Sequence, residues 1–74
     1  MTISRHAAIR YIERIRPCAL DEAFRQLEGI APAAVEEKVI EDGECWLRAG
    51  CLRLVTYEDH VVTCYVVGER NGGA

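Results

Sequence analysis

The sequence predicts an α+β fold: two N-terminal helices packed on one face of a small antiparallel β-sheet of three to four strands. Three observations point there. Apolar residues in the first 28 positions recur at the spacing of three and four that makes one buried helical stripe. From Cys45 onward, β-branched and aromatic residues crowd into CWLR, CLRLVTY and VVTCYVV, separated by short turns. Pro17 and Gly29 punctuate the helical part. With 74 residues the chain makes one domain, near the size at which a core without staples still stabilises a fold.

The first helix is expected over about 4–16. Ser4 can cap it, Ala8, Tyr11, Ile12 and Ile15 form its apolar stripe, and His6, Arg10, Glu13 and Arg14 share the opposite face. Pro17 ends it, because proline excludes Arg16 from the α region and donates no hydrogen bond. The second is expected over about 19–28, with Leu20, Ala23, Phe24 and Leu27 inward, Asp21 and Glu22 in its first turn and Gly29 as its C-terminal cap. Residues 31–43 stay open. Pro32 with Glu36 and Glu37 reads as a short helix, whereas Val39 and Ile40 before Asp42-Gly43 read as a strand and turn.

The sheet is expected over about 45–67, with 68–74 as a frayed tail. A two-residue turn at Ala49-Gly50 would set Leu47 opposite Leu52 and Trp46 opposite Arg53. An odd turn, Glu58-Asp59-His60, would then gather Leu47, Leu52, Leu54, Val62, Cys64 and Val66 under the helices. An even turn would mix Arg53 with the valines, so burial favours the odd one. The other face would carry Trp46, Arg48, Arg53, Tyr57, Thr63 and Tyr65.

Composition narrows the functional classes. Half the residues are hydrophobic, which suits a globular chain, and no apolar run reaches the roughly 20 residues of a membrane span. The start MTISRHAAIR lacks the apolar region of a secretory signal, so a cytoplasmic protein without membrane contact is expected. Cys18, Cys45, Cys51 and Cys64 show no C-x-x-C spacing, and His6 and His60 lack a second histidine at zinc-ligand spacing. The expectation is no metal, no cofactor and four reduced thiols, with an intermolecular disulfide through an exposed cysteine left open. Net charge is −3, unevenly placed. Residues 1–16 carry four arginines against Glu13; residues 21–44 carry eight acids against Arg25 and Lys38. A basic face and an acidic face on so small a body make a dipole, and dipoles orient partners.

The strings R-H-A-x-x-R-Y-x-E-R at 5–14 and V-V-T-C-Y at 61–65 resemble the first helix and last strand of small ribonuclease-toxin-like proteins of the BrnT and RelE type. The resemblance spans about two thirds of the chain and rests on about eight positions. It implies a compact α+β fold whose curved sheet offers an open face to RNA, with His6, Arg10 and Arg14 on the helix and Thr63 and Tyr65 on the last strand matching the family's polar positions. In size and charge the chain is also similar to phage anti-CRISPR inhibitors. The net charge of −3, the single lysine and the acidic middle third depart from an RNA-gripping toxin.

Two classes of function follow. The favoured one is a non-catalytic, phage-type inhibitor that binds and blocks a host protein or ribonucleoprotein complex handling nucleic acid. Its partner-binding residues would be Trp46, Arg48, Arg53, Tyr57 and Tyr65, with the acids Glu36, Glu37, Glu41, Asp42, Glu44, Glu58 and Asp59 mimicking nucleic-acid charge. The other is a metal-independent ribonuclease in which His6 moves a proton while Arg10 and Arg53 stabilise phosphate charge beside Thr63 and Tyr65. Each has a plain counterpart: a solvated first-turn histidine, a cross-strand pair that steadies a hairpin, and an acidic face that keeps a small protein in solution. A homodimer through the Trp46 face is a third reading.

Overall fold

The computed structural model describes residues 1–40 and 43–67. Glu41 and Asp42 of the expected acidic set, and the expected tail 68–74, lie outside them. The chain runs β1 (Thr2–Ile3), α1 (Arg5–Arg14), α2 (Leu20–Ile30), a 3-10 turn (Ala31–Ala33), β2 (Val35–Val39), β3 (Glu44–Ala49), β4 (Leu52–Tyr57) and β5 (His60–Val66). Two helices on one sheet are as expected, but the sheet has five strands in the order β1-β5-β4-β3-β2, and β1 runs parallel to β5. The strand count of three to four is therefore corrected. A two-residue strand is too short to leave a pattern in sequence, and it forms here because the Thr2 and Ser4 amides donate to the Asp59 and Val61 carbonyls.

Ser4 caps α1 as expected, its hydroxyl accepting from the Ala7 amide at 3.0 Å. That hydroxyl also donates to the Val62 carbonyl at 3.1 Å, tying the helix start to β5. The helix stops at Arg14, two residues before the expected end, with Ile15 as its cap. Helix α2 runs through Gly29 rather than ending there, because Ile30 and the buried Ala31 continue the helical path into the core. A Cβ on Gly29 would meet nothing within 4 Å, and the residue is exposed. Gly29→Ala is therefore expected to stabilise the fold by about 0.5–1 kcal/mol, read as a rise of several degrees in thermal midpoint.

The open stretch resolves into both alternatives in turn: a 3-10 turn with Pro32 near its start, then β2. The first hairpin turns at Gly50-Cys51, not Ala49-Gly50, so Ala49 faces Leu52, Leu47 faces Leu54 and Arg48 faces Arg53. Gly50 has φ +63° while Cys51 is not left-handed, the signature of a type II′ turn that needs glycine first. A shift of two residues preserves which face each side chain takes.

The second hairpin corrects the odd turn. Tyr57 faces His60 across a two-residue turn, Glu58-Asp59, whose φ values of 49° and 71° are those of a type I′ turn. A bulge then lets Thr56 face Val61 and Val55 face Thr63, so parity is reset and Leu54 faces Cys64. The expected face is recovered with one exchange. Val61 is fully buried and Val62 only half so, because the extra residue sits at Val62; Val66 keeps its place opposite Leu52 but is half-buried at the end of the strand.

The core lies between the helices and this face. Ala7, Ala8 and Tyr11 of α1, Ala23 and Leu27 of α2, and Leu47, Leu52, Leu54, Val61 and Cys64 of the sheet form one cluster. Helix α1 lies against β5, and α2 against α1 and β1. Small residues on α1 allow that closeness, since the Cys64 thiol reaches the Ala7 carbonyl at 3.5 Å. With a thinnest extent of 19 Å the body is two layers deep, and the second sheet face has no layer over it among the described residues.

Candidate functional site

On that uncovered face, alternation along β3, β4 and β5 brings Trp46, Arg48, Arg53, Val55, Thr63 and Tyr65 to one side. Trp46 faces Val55 rather than Arg53, because of the shifted turn. Arg53 still reaches the indole diagonally, its guanidinium 4.5 Å from the Trp46 ring centre and 5.8 Å from that of Tyr65. Its two terminal nitrogens donate to the Tyr65 hydroxyl at 3.2 Å and to Glu37 Oε1 at 3.0 Å. Glu37 also accepts from Arg48 at 2.7 Å, so one carboxylate clamps two guanidinium groups.

The clamp is partly closed to water: the Arg53 side chain is only 17% exposed, and its Nε is buried without a partner. The Tyr65 hydroxyl first, and Glu37 after it, push the Arg53 guanidinium above its ordinary range, against the opposing pull of desolvation. Glu44 accepts from the Trp46 indole at 3.1 Å, and Lys38 Nζ stands 5.5 Å from the ring. The result is an aromatic plane flanked by Arg53, which two hydrogen bonds hold, and by Lys38.

The remaining expected positions scatter. Tyr57 lies on the same face at its far end, 43% exposed, beside the hairpin tip where Glu58 and Asp59 are exposed. Glu36 turns to the helix side of the sheet edge, where the Cys45 thiol lies 3.6 Å from its carboxylate. The acids therefore do not form one surface: Glu37 and Glu44 hold the clamp, Glu36 faces away, and Glu58 and Asp59 sit at a tip.

The ribonuclease set is divided by the sheet. His6 accepts from Arg10 at 3.3 Å, and Arg10 pairs with Glu13 at 2.6 Å, all on the solvent side of α1. Arg53, Thr63 and Tyr65 lie on the opposite side of the sheet from that helix, since the intervening Cys64 points at α1. Among the described residues there is no pocket, and no group of three His, Cys, Asp or Glu side chains suited to a metal. Sequence reasoning missed Lys38 and the bridging part of Glu37. Reading VEEKV as a strand beside Trp46 would have found one of the two; the bulge that brings both to this face leaves no pattern in the sequence.

All four cysteines are free thiols. Cys51 is exposed at the first hairpin turn, whereas burial pushes the Cys64 thiol up to about 11, opposed by Arg14. A thiol probe at pH 8 is expected to label Cys51 first and Cys64 only on global unfolding, measured by mass after timed quenching. The sign of the linkage adds a second reading. The unfolded thiol ionises near 9.0 while the native one stays neutral, so Cys64 withdraws stability as pH rises from 9 toward 11.

No family model matches the chain, and neither a curated protein nor a solved structure matches it at a significant level.

Proposed function

We propose that this chain is a non-catalytic binding protein that docks on a partner protein through its uncovered sheet face, acting as an inhibitor of anti-CRISPR type on a host complex that handles nucleic acid. The observation that carries the reading is the half-buried Trp46-Arg53-Tyr65 clamp, already tied to Glu37 on an uncovered sheet face. Tryptophan, tyrosine and arginine dominate binding hot spots, and rigid side chains lose little entropy when a partner closes over them. Separation of His6 and Arg10 from Thr63 and Tyr65 by the sheet supports binding over cleavage, because acid, base and charge stabiliser must converge on one atom. The net charge of −3 suits a basic partner, with Glu58 and Asp59 at the edge of the docking face.

The test is to titrate the protein into a panel of reconstituted RNA-guided DNA-cleavage complexes. Stoichiometric loss of cleavage is expected with one of them. Trp46→Ala should weaken it by about 30-fold, the effect of losing a hot-spot residue of about 2 kcal/mol. No inhibition across the panel, or equal inhibition by Trp46→Ala, overturns the reading. Cleavage of RNA by the chain alone that vanishes in His6→Ala replaces it with the ribonuclease.

A further inference from the structure

We propose that β2 is a self-association edge: a second copy of this chain adds its own β2 antiparallel to the first, across a two-fold axis perpendicular to the sheet. The two five-stranded sheets then become one. This interface lies along the sheet edge and shares Glu37 and Lys38 with the docking face described above, but it does not depend on docking there.

Strand β2 ends the sheet, and all five of its residues are exposed, Val35 by 68% and Val39 by 61%. Among the described residues nothing pairs with its outer side, and the backbone groups that turn that way are identifiable. The Ile40 amide donates to the Glu44 carbonyl at 2.9 Å, so Lys38 and Val35, opposite Trp46 and Arg48, also turn their peptide groups toward β3. Glu36 and Val39 therefore turn theirs outward, away from the sheet.

The irregularity between Glu36 and Lys38 decides the register. Glu37 is the extra residue there, and both Glu37 and Lys38 reach the outer face, one to Arg48 and Arg53, the other over Trp46. The strand is thus symmetric about the Glu37-Lys38 pair, with Glu36 and Val39 flanking it on the inner face. Antiparallel pairing centred on that pair sets Glu36 opposite the partner's Val39, where both have peptide groups free to exchange bonds. Glu37 and Lys38 then meet the partner's Lys38 and Glu37, and Val35 meets the partner's Ile40.

Backbone direction, side-chain face and charge agree in this one register. A slip of one residue would set Glu37 against the partner's Glu37, a like-charge pair that opposes association. Charges and a bulge ordinarily guard an edge strand against pairing. Here the guard admits a second copy, whose charges are reversed by the two-fold axis, and repels strands without that pattern.

The test is sedimentation equilibrium of the whole chain from roughly 10 µM to 1 mM, the range in which a small interface associates. The expected result is a mass that rises from the 8.3 kDa of one chain toward twice that value. Val39→Pro removes an outward amide without touching the β3 ladder and should stay monomeric with an unchanged far-UV spectrum. Lys38→Glu places four carboxylates together and should also stay monomeric. Amide exchange at Glu36 and Val39 should slow with concentration in the natural chain alone. A chain monomeric throughout the range overturns the proposal, as does a dimer that persists in Lys38→Glu. Dissociation by Trp46→Ala with no effect of Lys38→Glu would overturn it in favour of the clamp face.

Discussion

Leu54→Ala is expected to cost this fold more stability than any other single change considered for it, about 3 kcal/mol. Leu54 is fully buried, faces Leu47 on one side and Cys64 on the other, and belongs to the single cluster beneath the helices. Truncating a buried leucine costs about 2–5 kcal/mol, through lost transfer energy and the cavity left behind. A chain of this length holds on the order of 4–11 kcal/mol in total. Denaturant titration should show a loss of about 3 kcal/mol and heating a midpoint lower by about 12–25 °C. Val55→Ala, one residue along on the other face, should lose under about 1 kcal/mol. Equal losses at the two positions would mean that the sheet is not covered on one side only.

Arg53→Ala should have the second largest effect, about 2 kcal/mol, because three relations end together. Glu37 loses one of its two cations, the Tyr65 hydroxyl loses a charged donor, and the Trp46 indole loses the guanidinium that covers it. Arg53→Lys is the informative companion. An ammonium group cannot serve a hydroxyl, a carboxylate and a ring face from one fork, so lysine should recover less than half of the loss. Denaturant titration measures both variants, and a red shift of the Trp46 emission should accompany the alanine change as water reaches the indole. Full recovery by lysine would show that charge alone, and not the planar fork, holds the clamp.

How much of this was legible in the sequence depended on pattern length. Helices of ten and eleven residues with apolar stripes, and strands with several β-branched residues, carry enough repeats to be recognised. Thr2–Ile3 carries none, because two residues form no period. The face each side chain takes was recovered through parity, although both turns were misread and the pairing of the first hairpin was off by two residues. Cys64 was expected inward from an odd turn and arrives there through an even turn and a bulge, two irregularities whose effects on parity agree. Bulges leave no residue signature, so nothing in the sequence showed that Val61 rather than Val62 would fill the core.

For the candidate site, alternation alone gathered Trp46, Arg53, Thr63 and Tyr65 on one face. It gave no hint that Glu37 binds them, because residues 31–43 read equally as helix or strand. Counting acids as a run also hid their geometry. Neighbours in sequence point to opposite faces of a strand, so Glu36 and Glu37 share a charge and almost nothing else.

The pairing of Thr2 with His60 and of Ile3 with Val61 joins positions 58 residues apart. Closing so long a segment has an entropic toll that local contacts do not repay in advance, so this junction forms late on the folding route. Neither half of the sequence can therefore complete the sheet alone, and folding should proceed as a single cooperative event whose rate is governed by topology more than by the helices that form first.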